Sequence, residues 1–153
     1  MRPDYRAATE RDLAAACDLR AAMTRELSDS DPDQDDPQWR ARFAEFYASR
    51  INAGTAALFL AEDGGDLIGM GAVYKLVNHR SEIFRQHAAY VTSVYVDPRY
   101  RRNGIATELA RMSVEWAKAH GCVVVRLRTS SMGRPVYERM GFSPSSEMEL
   151  EIE

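Results

Sequence analysis

Residues able to bind a phosphate group follow a short apolar strand in the middle of the chain. The strand ends at residues 94–96, a turn follows at Asp97 and Pro98, and a helical pattern opens at Gly104. Backbone N–H groups at a helix start lack intrahelical partners and, together with the helix dipole, bind anions. Gly104 has no side chain to keep a phosphate away from the backbone. The pattern predicts a pyrophosphate site made of Arg101, Arg102, Asn103, Gly104, Ile105 and Ala106.

Two other phosphate-binding motifs do not fit this turn. A P-loop requires a Gly-Lys-Ser/Thr triplet, and none follows Gly104. A dinucleotide-binding turn requires Gly-x-Gly-x-x-Gly after the first strand of a domain. The first of these glycines is missing here, and the strand comes late in the chain.

A second segment makes the interpretation more specific. After an apolar strand pattern at residues 123–128, the chain reads Val136-Tyr137-Glu138-Arg139-Met140-Gly141-Phe142. Together the two segments resemble the GNAT superfamily of acyl-CoA-dependent N-acetyltransferases. The family's pyrophosphate motif, Gln/Arg-x-x-Gly-x-Gly/Ala, is matched by Arg101, Gly104 and Ala106. Its later Leu-Tyr-Glu-x-x-Gly-Phe is matched with Val136 in place of the leucine, and the resemblance is strong over residues 90–142.

The resemblance implies a fold and a reaction. The fold is a single domain over residues 1–153, of α/β (α+β) class, with a mixed and mostly antiparallel central sheet flanked by helices. The implied reaction transfers the acetyl group of acetyl-CoA to a primary amine by direct attack, without a metal. The implied acceptor is a small-molecule amine, with a protein amine as the alternative, and the resemblance allows a homodimer.

The resemblance also implies roles for individual residues. Tyr137 is the implied general acid for the departing thiolate, because a phenol with a pKa of about 10 is protonated at neutral pH. A main-chain N–H of the strand polarises the thioester carbonyl. Arg99 is a solvated charge or a contact to the outer phosphate of coenzyme A. The remaining implied cofactor contacts are the strand residues Val94, Tyr95 and Val96, the turn from Arg101 to Ala106, and Ser130.

Two positions depart from the family pattern. Ser130 stands where many members have an asparagine seven residues before the tyrosine, and its hydroxyl can donate and accept. Many members also carry a glutamate base in the strand before the basic turn, where this chain has Tyr90. The base is then a water chain, a residue from elsewhere such as His79, Glu82 or His87, or absent. The alternative function is a GNAT-like domain that binds acyl-CoA as a sensor or interaction module without turnover.

Length, charge and cysteine content limit the class of protein. A chain of 153 residues is long enough for one domain with a core. Its net charge of −3 argues against a nucleic-acid surface. Cys17 and Cys122 do not form a disulfide framework, which favours the reducing cytoplasm. The absence of a signal-peptide pattern and of any long apolar run argues against secretion and membrane insertion.

The first half of the chain shows clear start and turn signals. Residues 4–8 predict a short strand, and Thr9 predicts a helix N-cap with Asp12 as the acid of a capping box. Residues 28–36 predict a polar loop, and Asp36 with Pro37 predicts the N-cap and first position of a second helix. Strands are predicted at 56–62 and 67–77, joined by a hairpin turn at 63–66.

The second half continues the alternation of strands and helices. A polar loop at 78–87 precedes strands at 89–96 and 122–129 and helices at 104–120 and 133–140. Met148, Leu150 and Ile152 alternate with glutamates, which predicts a last strand that is exposed on one face.

The loop at residues 28–36 contains five aspartates. Calcium binding is excluded, because Gln34 stands where an EF-hand loop needs glycine and Arg40 stands where it needs a bidentate glutamate. A solvated loop is one interpretation. The other is a patch that attracts an amine cation, since the family's connection between its first two helices lies beside the acceptor site.

Overall fold

One five-stranded sheet carries helices on both of its faces. The computed structural model describes residues 2–76 and 87–152. The strands are β1 (Asp4–Ala7), β2 (Ala56–Asp63), β3 (Asp66–Leu76), β4 (Ala88–Val96) and β5 (Val124–Leu127). The α-helices are α1 (Leu13–Ser28), α2 (Pro32–Asp35), α3 (Trp39–Ala53), α4 (Ile105–Ala119) and α5 (Arg134–Arg139). Of the loop predicted at residues 78–87, residues 78–86 lie outside the described residues.

The strands pair in chain order, and only the last pair is parallel. β1 to β4 form three antiparallel pairs, and β5 lies parallel to β4. This confirms the predicted mixed, mostly antiparallel sheet. Because β4 and β5 are parallel, their carboxyl ends lie at the same edge of the sheet.

The two faces of the sheet are buried against different helices. On one face Ile105 and Leu109 of α4 pack against the sheet, and both are almost completely buried. On the other face Leu13 of α1 and Tyr47 of α3 pack against alternate residues of β2 and β3. Residues 56–61 of β2 are therefore buried on both faces, which explains their nearly uninterrupted apolar sequence.

The predicted hairpin between β2 and β3 is confirmed. Asp63 and Asp66 face each other across the turn. Gly64 and Gly65 have φ angles of 59° and 90°, which residues with side chains rarely adopt. Two glycines in succession therefore permit the tight connection that the sequence predicts.

The predicted helix start at Thr9 is also confirmed, although its first turn (Glu10–Asp12) is a 3-10 helix. The N–H of Thr9 donates to Oδ2 of Asp12 at 2.7 Å. Arg6 donates from both terminal nitrogens to the same carboxylate at 2.8 Å, and it also donates to Glu62 of β2. Asp12 therefore ties the beginning of the helical segment to the edge of the sheet.

We expect Asp12→Asn to lower the free energy of unfolding by about 1–2 kcal/mol at pH 7, since it removes charge-assisted bonds to Arg6. The pKa of Asp12 is held well below its usual range by Arg6. Its contribution is thus complete above the unfolded pKa of about 3.9 and is lost as the pH falls below that value. Urea unfolding of both proteins at pH 7 and at pH 3 measures the difference, which should shrink at pH 3. Glu115→Gln is the control, because it breaks only an exposed pair with Lys118; an equal loss there would contradict a specific role for Asp12.

The structure corrects the prediction for residues 28–36. The segment contains the short helix α2, with Asp31 as its N-cap and Pro32 in its first turn. Asp36 is the C-cap of α2 rather than an N-cap, and α3 begins only at Trp39. The Asp-Pro helix-start signal is present at both places, and the chain uses the first.

The structure also corrects the end of the chain. β5 covers four residues rather than eight. The predicted last strand is absent: residues 142–152 are neither helical nor in a strand. Alternating apolar residues form a strand only when another strand pairs with them, and no described strand does so here.

Candidate active site

A bulge interrupts β4 shortly before the basic turn. On β3 Met70 pairs with Tyr95 and Ala72 pairs with Thr92, so that one residue of β3 lies opposite two residues of β4. Ser93, at the bulge, has a φ of 54°. A bulge bends its strand and increases the local twist. β4 therefore changes direction immediately before the residues predicted to contact the cofactor.

The strands β4 and β5 stop pairing at the same place. Their last paired residues are Val91 and Leu127. Beyond this point Tyr95 and Val96 pair only with β3. On the side toward β5, the backbone at the end of β4 therefore has no described strand partner, and its polar groups can be satisfied by a ligand.

The start of α4 follows the end of β4, and its first backbone N–H groups are open. Gly104 is the N-cap with a φ of 75°, and Arg102 also has a positive φ, of 66°. The N–H of Glu108 makes the first helical bond, to the carbonyl of Gly104 at 3.0 Å. The preceding N–H groups of the first turn therefore have no acceptor within the helix. A Cβ placed on Gly104 would meet nothing within 4 Å, so this surface is open to a ligand.

The predicted phosphate-binding residues fall into two groups. Arg102 and Asn103 are exposed, and their side chains can reach a ligand. Ile105 is 2% exposed, so only its N–H can take part. We therefore expect the predicted pyrophosphate contacts from Gly104 to Ala106 to come from the backbone.

Two glycines in β3, which the sequence analysis did not single out, let α4 lie close to the sheet. A Cβ on Gly69 would come within 3.3 Å of side-chain atoms of Ile105 and Leu109. A Cβ on Gly71 would lie 3.3 Å from Cβ of Leu109. The Gly-x-Gly spacing in a strand was the available signal, because it places both glycines on one face.

Arg101 connects the basic turn to α1. Its Nη1 and Nη2 donate to the two carboxylate oxygens of Glu26 at 2.7 and 2.8 Å, and its Nε donates to the carbonyl of Val96 at 3.0 Å. Its guanidinium also lies 5.6 Å from the ring centre of Tyr95. The side chain of Arg101 therefore holds the turn in place, and its donors are engaged within the protein rather than directed at the predicted phosphate site.

Glu26→Gln is expected to weaken acetyl-CoA binding about fivefold, since a partly exposed bidentate pair contributes roughly 1 kcal/mol. Arg101→Lys, which keeps the charge but loses the forked geometry, should act in the same direction. Calorimetric titration with acetyl-CoA measures both effects. Asp36→Asn is the control, because it breaks an exposed pair with Arg42 outside the basic turn. Unchanged acetyl-CoA binding in both Glu26→Gln and Arg101→Lys would show that binding does not depend on the ion pair between these residues.

Ser130 and Tyr137 follow β5 at the same edge of the sheet. The hydroxyl of Ser130 accepts the N–H of Gly133 at 3.1 Å and so stabilises the turn before α5. The ring of Tyr137 is half-buried and packs edge-on against Phe142 at 5.7 Å between centroids. Burial raises the pKa of Tyr137, which keeps its hydroxyl protonated at neutral pH.

The sequence comparisons identify the family of this fold. A model of the acetyltransferase (GNAT) family matches residues 18–142. The chain belongs to this family. The resemblance carried by the basic turn and by the Tyr137 segment is therefore confirmed.

Solved structures and curated proteins agree with this assignment. A GCN5-related N-acetyltransferase from Ralstonia eutropha JMP134 has a TM-score of 0.81 and 27% identity, covering 99% of both chains. A predicted acetyltransferase from Clostridium acetobutylicum, solved with acetyl-CoA, has a TM-score of 0.82 and 22% identity, covering 99% of this chain and 96% of its own. An aminoglycoside N(6')-acetyltransferase type 1 from Klebsiella aerogenes is 25% identical over 91 residues, or 60% of this chain. That match spans only 59% of the curated relative.

The structure tests one of the three residues that were named as candidates for the general base. His79 and Glu82 lie outside the described residues. His87 directly precedes β4, seven residues before Val94, which is roughly 20 Å along a strand. His87 is therefore too far from the bulge to accept a proton there directly.

Most of the aspartates between α1 and α3 are already paired. Asp31 accepts from Arg25, and Asp33 accepts from Arg25 and Arg40. Asp36 pairs with Arg42. These pairs offset much of the negative charge of the segment, so its attraction for an amine cation is weaker than the five aspartates alone predict.

Residues 2–76 and 87–152 contain no group of three or more His, Cys, Asp or Glu side chains that could hold a metal ion. No helix among them is long and apolar enough to cross a membrane.

Proposed function

We propose that the chain transfers the acetyl group of acetyl-CoA to a primary amine of a small molecule. The observation that carries the proposal is the end of β4, which no longer pairs with β5 and leads to the open start of α4. Acetyl-CoA carries its thioester on a long arm that leads to a pyrophosphate. Its binding therefore needs an extended strand edge followed by an anion site. The end of β4 and the first turn of α4 provide both.

The proposed chemistry assigns one task to each part of this site. The amine nitrogen attacks the thioester carbonyl, and the carbonyl oxygen gains negative charge. A main-chain N–H of residues 94–96 donates to that oxygen. The C–S bond then breaks, and Tyr137 gives its phenolic proton to the departing thiolate. The proton lost by the amine returns to solvent or to the phenolate, so the products are an amide and coenzyme A.

A small-molecule acceptor is favoured over a protein amine by the kind of relative that the chain matches. The matched protein of Klebsiella aerogenes is named for acetyl transfer to the 6'-nitrogen of aminoglycosides. Aminoglycosides and simpler amino sugars carry primary amines on sugar rings and are the first acceptors to test. A protein N-terminus or lysine is the alternative acceptor.

An amine screen with acetyl-CoA tests the proposal. Aminoglycosides, amino sugars, polyamines and short peptides with a free N-terminus are each incubated with enzyme and acetyl-CoA. We expect amine-dependent release of free thiol, together with a product that is one acetyl group heavier by mass spectrometry. Reactions without amine correct for hydrolysis, and reactions without acetyl-CoA correct for the protein's own thiols.

Two other outcomes would change the assignment. Tight binding of acetyl-CoA with no turnover on any amine would identify a non-catalytic acyl-CoA-binding module. Turnover on peptides alone would replace the small-molecule acceptor by a protein amine.

A further inference from the structure

Three aromatic rings form a row across the face of the sheet that α1 and α3 cover. The ring of Phe46 on α3 meets the ring of Tyr74 on β3 edge-on, at 5.6 Å between centroids. The Tyr74 ring lies 5.7 Å from the ring of Tyr90 on β4, its partner in the strand register. All three side chains remain partly exposed. This aromatic row (Phe46, Tyr74 and Tyr90) is a surface on which a ring of a ligand can pack.

The aromatic row continues onto β5 with an arginine. Arg126 pairs with Tyr90 in the parallel ladder, so the two side chains lie on the same face of the sheet. Arg126 is exposed, and none of the ion pairs among the described residues includes it. The carboxylate of Glu149 is engaged by Arg128, two residues farther along the chain. Arg126 therefore presents a positive charge beside the aromatic row.

A second arginine lies at the other end of the aromatic row. Arg50 follows Phe46 by one turn of α3, and its guanidinium lies 3.7 Å from the centre of the Phe46 ring. No carboxylate of the described ranges forms an ion pair with Arg50, whereas Arg25 and Arg40 are neutralised by aspartates. The aromatic row is thus bordered at both ends by positive charge.

The aromatic row ends beside the place of the proposed reaction. β4 and β5 stop pairing one residue beyond Tyr90 and Arg126. In the proposed function, the thioester arm follows the end of β4 past this point, and the pyrophosphate binds at the start of α4. α4 packs on the opposite face of the sheet. The face with the aromatic row is therefore left for the amine that attacks the thioester carbonyl.

We propose that the aromatic row and Arg126 bind the acceptor, and that they select a primary amine whose ring carries a carboxylate or a phosphate. The ring packs on Tyr90, the anionic group pairs with Arg126, and the amine extends toward the end of β4. Polycationic acceptors such as aminoglycosides are disfavoured, because two arginines border this surface. The inference rests on the proposed acetyl transfer and narrows its acceptor.

Two amines of the same shape measure the preference for a negative charge. The compounds para-(aminomethyl)benzoate and para-(aminomethyl)benzamide share the ring and the amine, and only the first is anionic. We expect kcat/KM to be about fivefold higher for the benzoate, which corresponds to one exposed ion pair. Glucosamine 6-phosphate against glucosamine makes the same comparison for a phosphate on a sugar ring and so distinguishes the two anions. Equal values within both pairs of amines would overturn the proposal.

Arg126→Glu tests whether this arginine causes the preference. The ratio of kcat/KM for the benzoate to that for the benzamide should fall below one, because the carboxylate then meets a like charge. Arg11→Glu is the matched control, since Arg11 is exposed, follows the opposite edge strand β1 and undergoes the same change in charge. Its ratio should equal that of the unmodified protein. An unchanged ratio in Arg126→Glu would contradict the selection by Arg126.

Tyr90→Leu tests the aromatic row separately from the charge. It should raise KM about fivefold for both the benzoate and the benzamide and preserve the ratio between them, because it removes the ring and keeps the arginine. Tyr90→Phe should restore KM, since packing needs the ring and not the hydroxyl. A loss in Tyr90→Phe as large as in Tyr90→Leu would assign the effect to the hydroxyl and overturn the packing role.

Binding measurements separate this inference from the proposed reaction. Calorimetric titration of the benzoate and of the benzamide into the protein saturated with coenzyme A measures both affinities without turnover. If no amine is acetylated but the benzoate binds more tightly, the acetyl transfer is rejected and the anion-selecting surface is retained. If amines are acetylated with no preference for the anionic partner in kinetics or in binding, the acetyl transfer is retained and this inference is overturned.

Discussion

Gly104→Glu is expected to weaken acetyl-CoA binding at least a hundredfold, which corresponds to about 2.8 kcal/mol. Gly104 is the N-cap of α4, where the backbone N–H groups are open to a ligand. A glutamate side chain would occupy this space and place a negative charge beside the pyrophosphate. Calorimetric titration of the purified variant with acetyl-CoA measures the loss.

A matched glycine separates the ligand effect from backbone strain. Gly121, just beyond α4, has a φ of 79° against 75° for Gly104, and a Cβ on either residue would meet no atom within 4 Å. Gly121→Glu should therefore cost similar stability but leave acetyl-CoA binding unchanged. Gly104→Ala introduces the strain without the charge and should give an intermediate affinity. Wild-type affinity in a folded Gly104→Glu variant would remove the start of α4 from the cofactor site.

The features that the sequence predicted correctly depend on neighbouring residues. The hairpin of Gly64 and Gly65 is encoded within four positions, and the helix start at Thr9 needs only Asp12 three residues later. The end of β4, the basic turn and the first residues of α4 are contiguous in the chain. The order of these elements could be predicted because each one is determined by residues that are close together in the chain.

The features that the sequence did not reveal depend on contacts between distant residues. Arg101 and Glu26 are separated by 75 positions, and only the folded chain shows that the guanidinium braces the turn. The bulge at Ser93 is set by the pairing of β4 with β3, so no motif in β4 predicts it. The predicted strand at Met148 to Ile152 failed for the same reason, because strand formation requires a partner and the described chain supplies none.

The aspartates before α3 show that the number of charges in a segment does not by itself predict the charge of the folded surface. Five carboxylates in nine residues predict a strongly negative patch. In the structure, arginines from α1 and α3 approach them, and Arg40 holds the pKa of Asp33 at about 2. An electrostatic role in substrate attraction depends on such neighbours, which are distant in sequence.

Tyr137→Phe is expected to lower kcat by about 10¹–10³-fold, which overlaps the lower part of the 10²–10⁴-fold range typical for loss of one general acid. The change removes only the hydroxyl, and the ring can keep its edge-on contact with Phe142. The dissociation constant for acetyl-CoA should therefore stay within about twofold of the unmodified protein, well under the tenfold change that 1.4 kcal/mol would produce. Steady-state kinetics with the amine identified by the screen, and calorimetry with acetyl-CoA, measure the two quantities.

The pH profile distinguishes an acid from a packing residue. Because burial raises the pKa of Tyr137 above its ordinary value of 10.0, the unmodified enzyme should keep its acid throughout the neutral and mildly alkaline range. In the Phe variant the thiolate must leave unprotonated or take its proton from water, so its rate should depend on the pKa of the thiol leaving group. Tyr5→Phe is the control, since it also removes the hydroxyl of a partly buried tyrosine, on β1. An unchanged kcat in Tyr137→Phe, with chemistry shown to be rate-limiting by its insensitivity to viscosity, would leave Tyr137 with a packing role against Phe142 and no part in proton transfer.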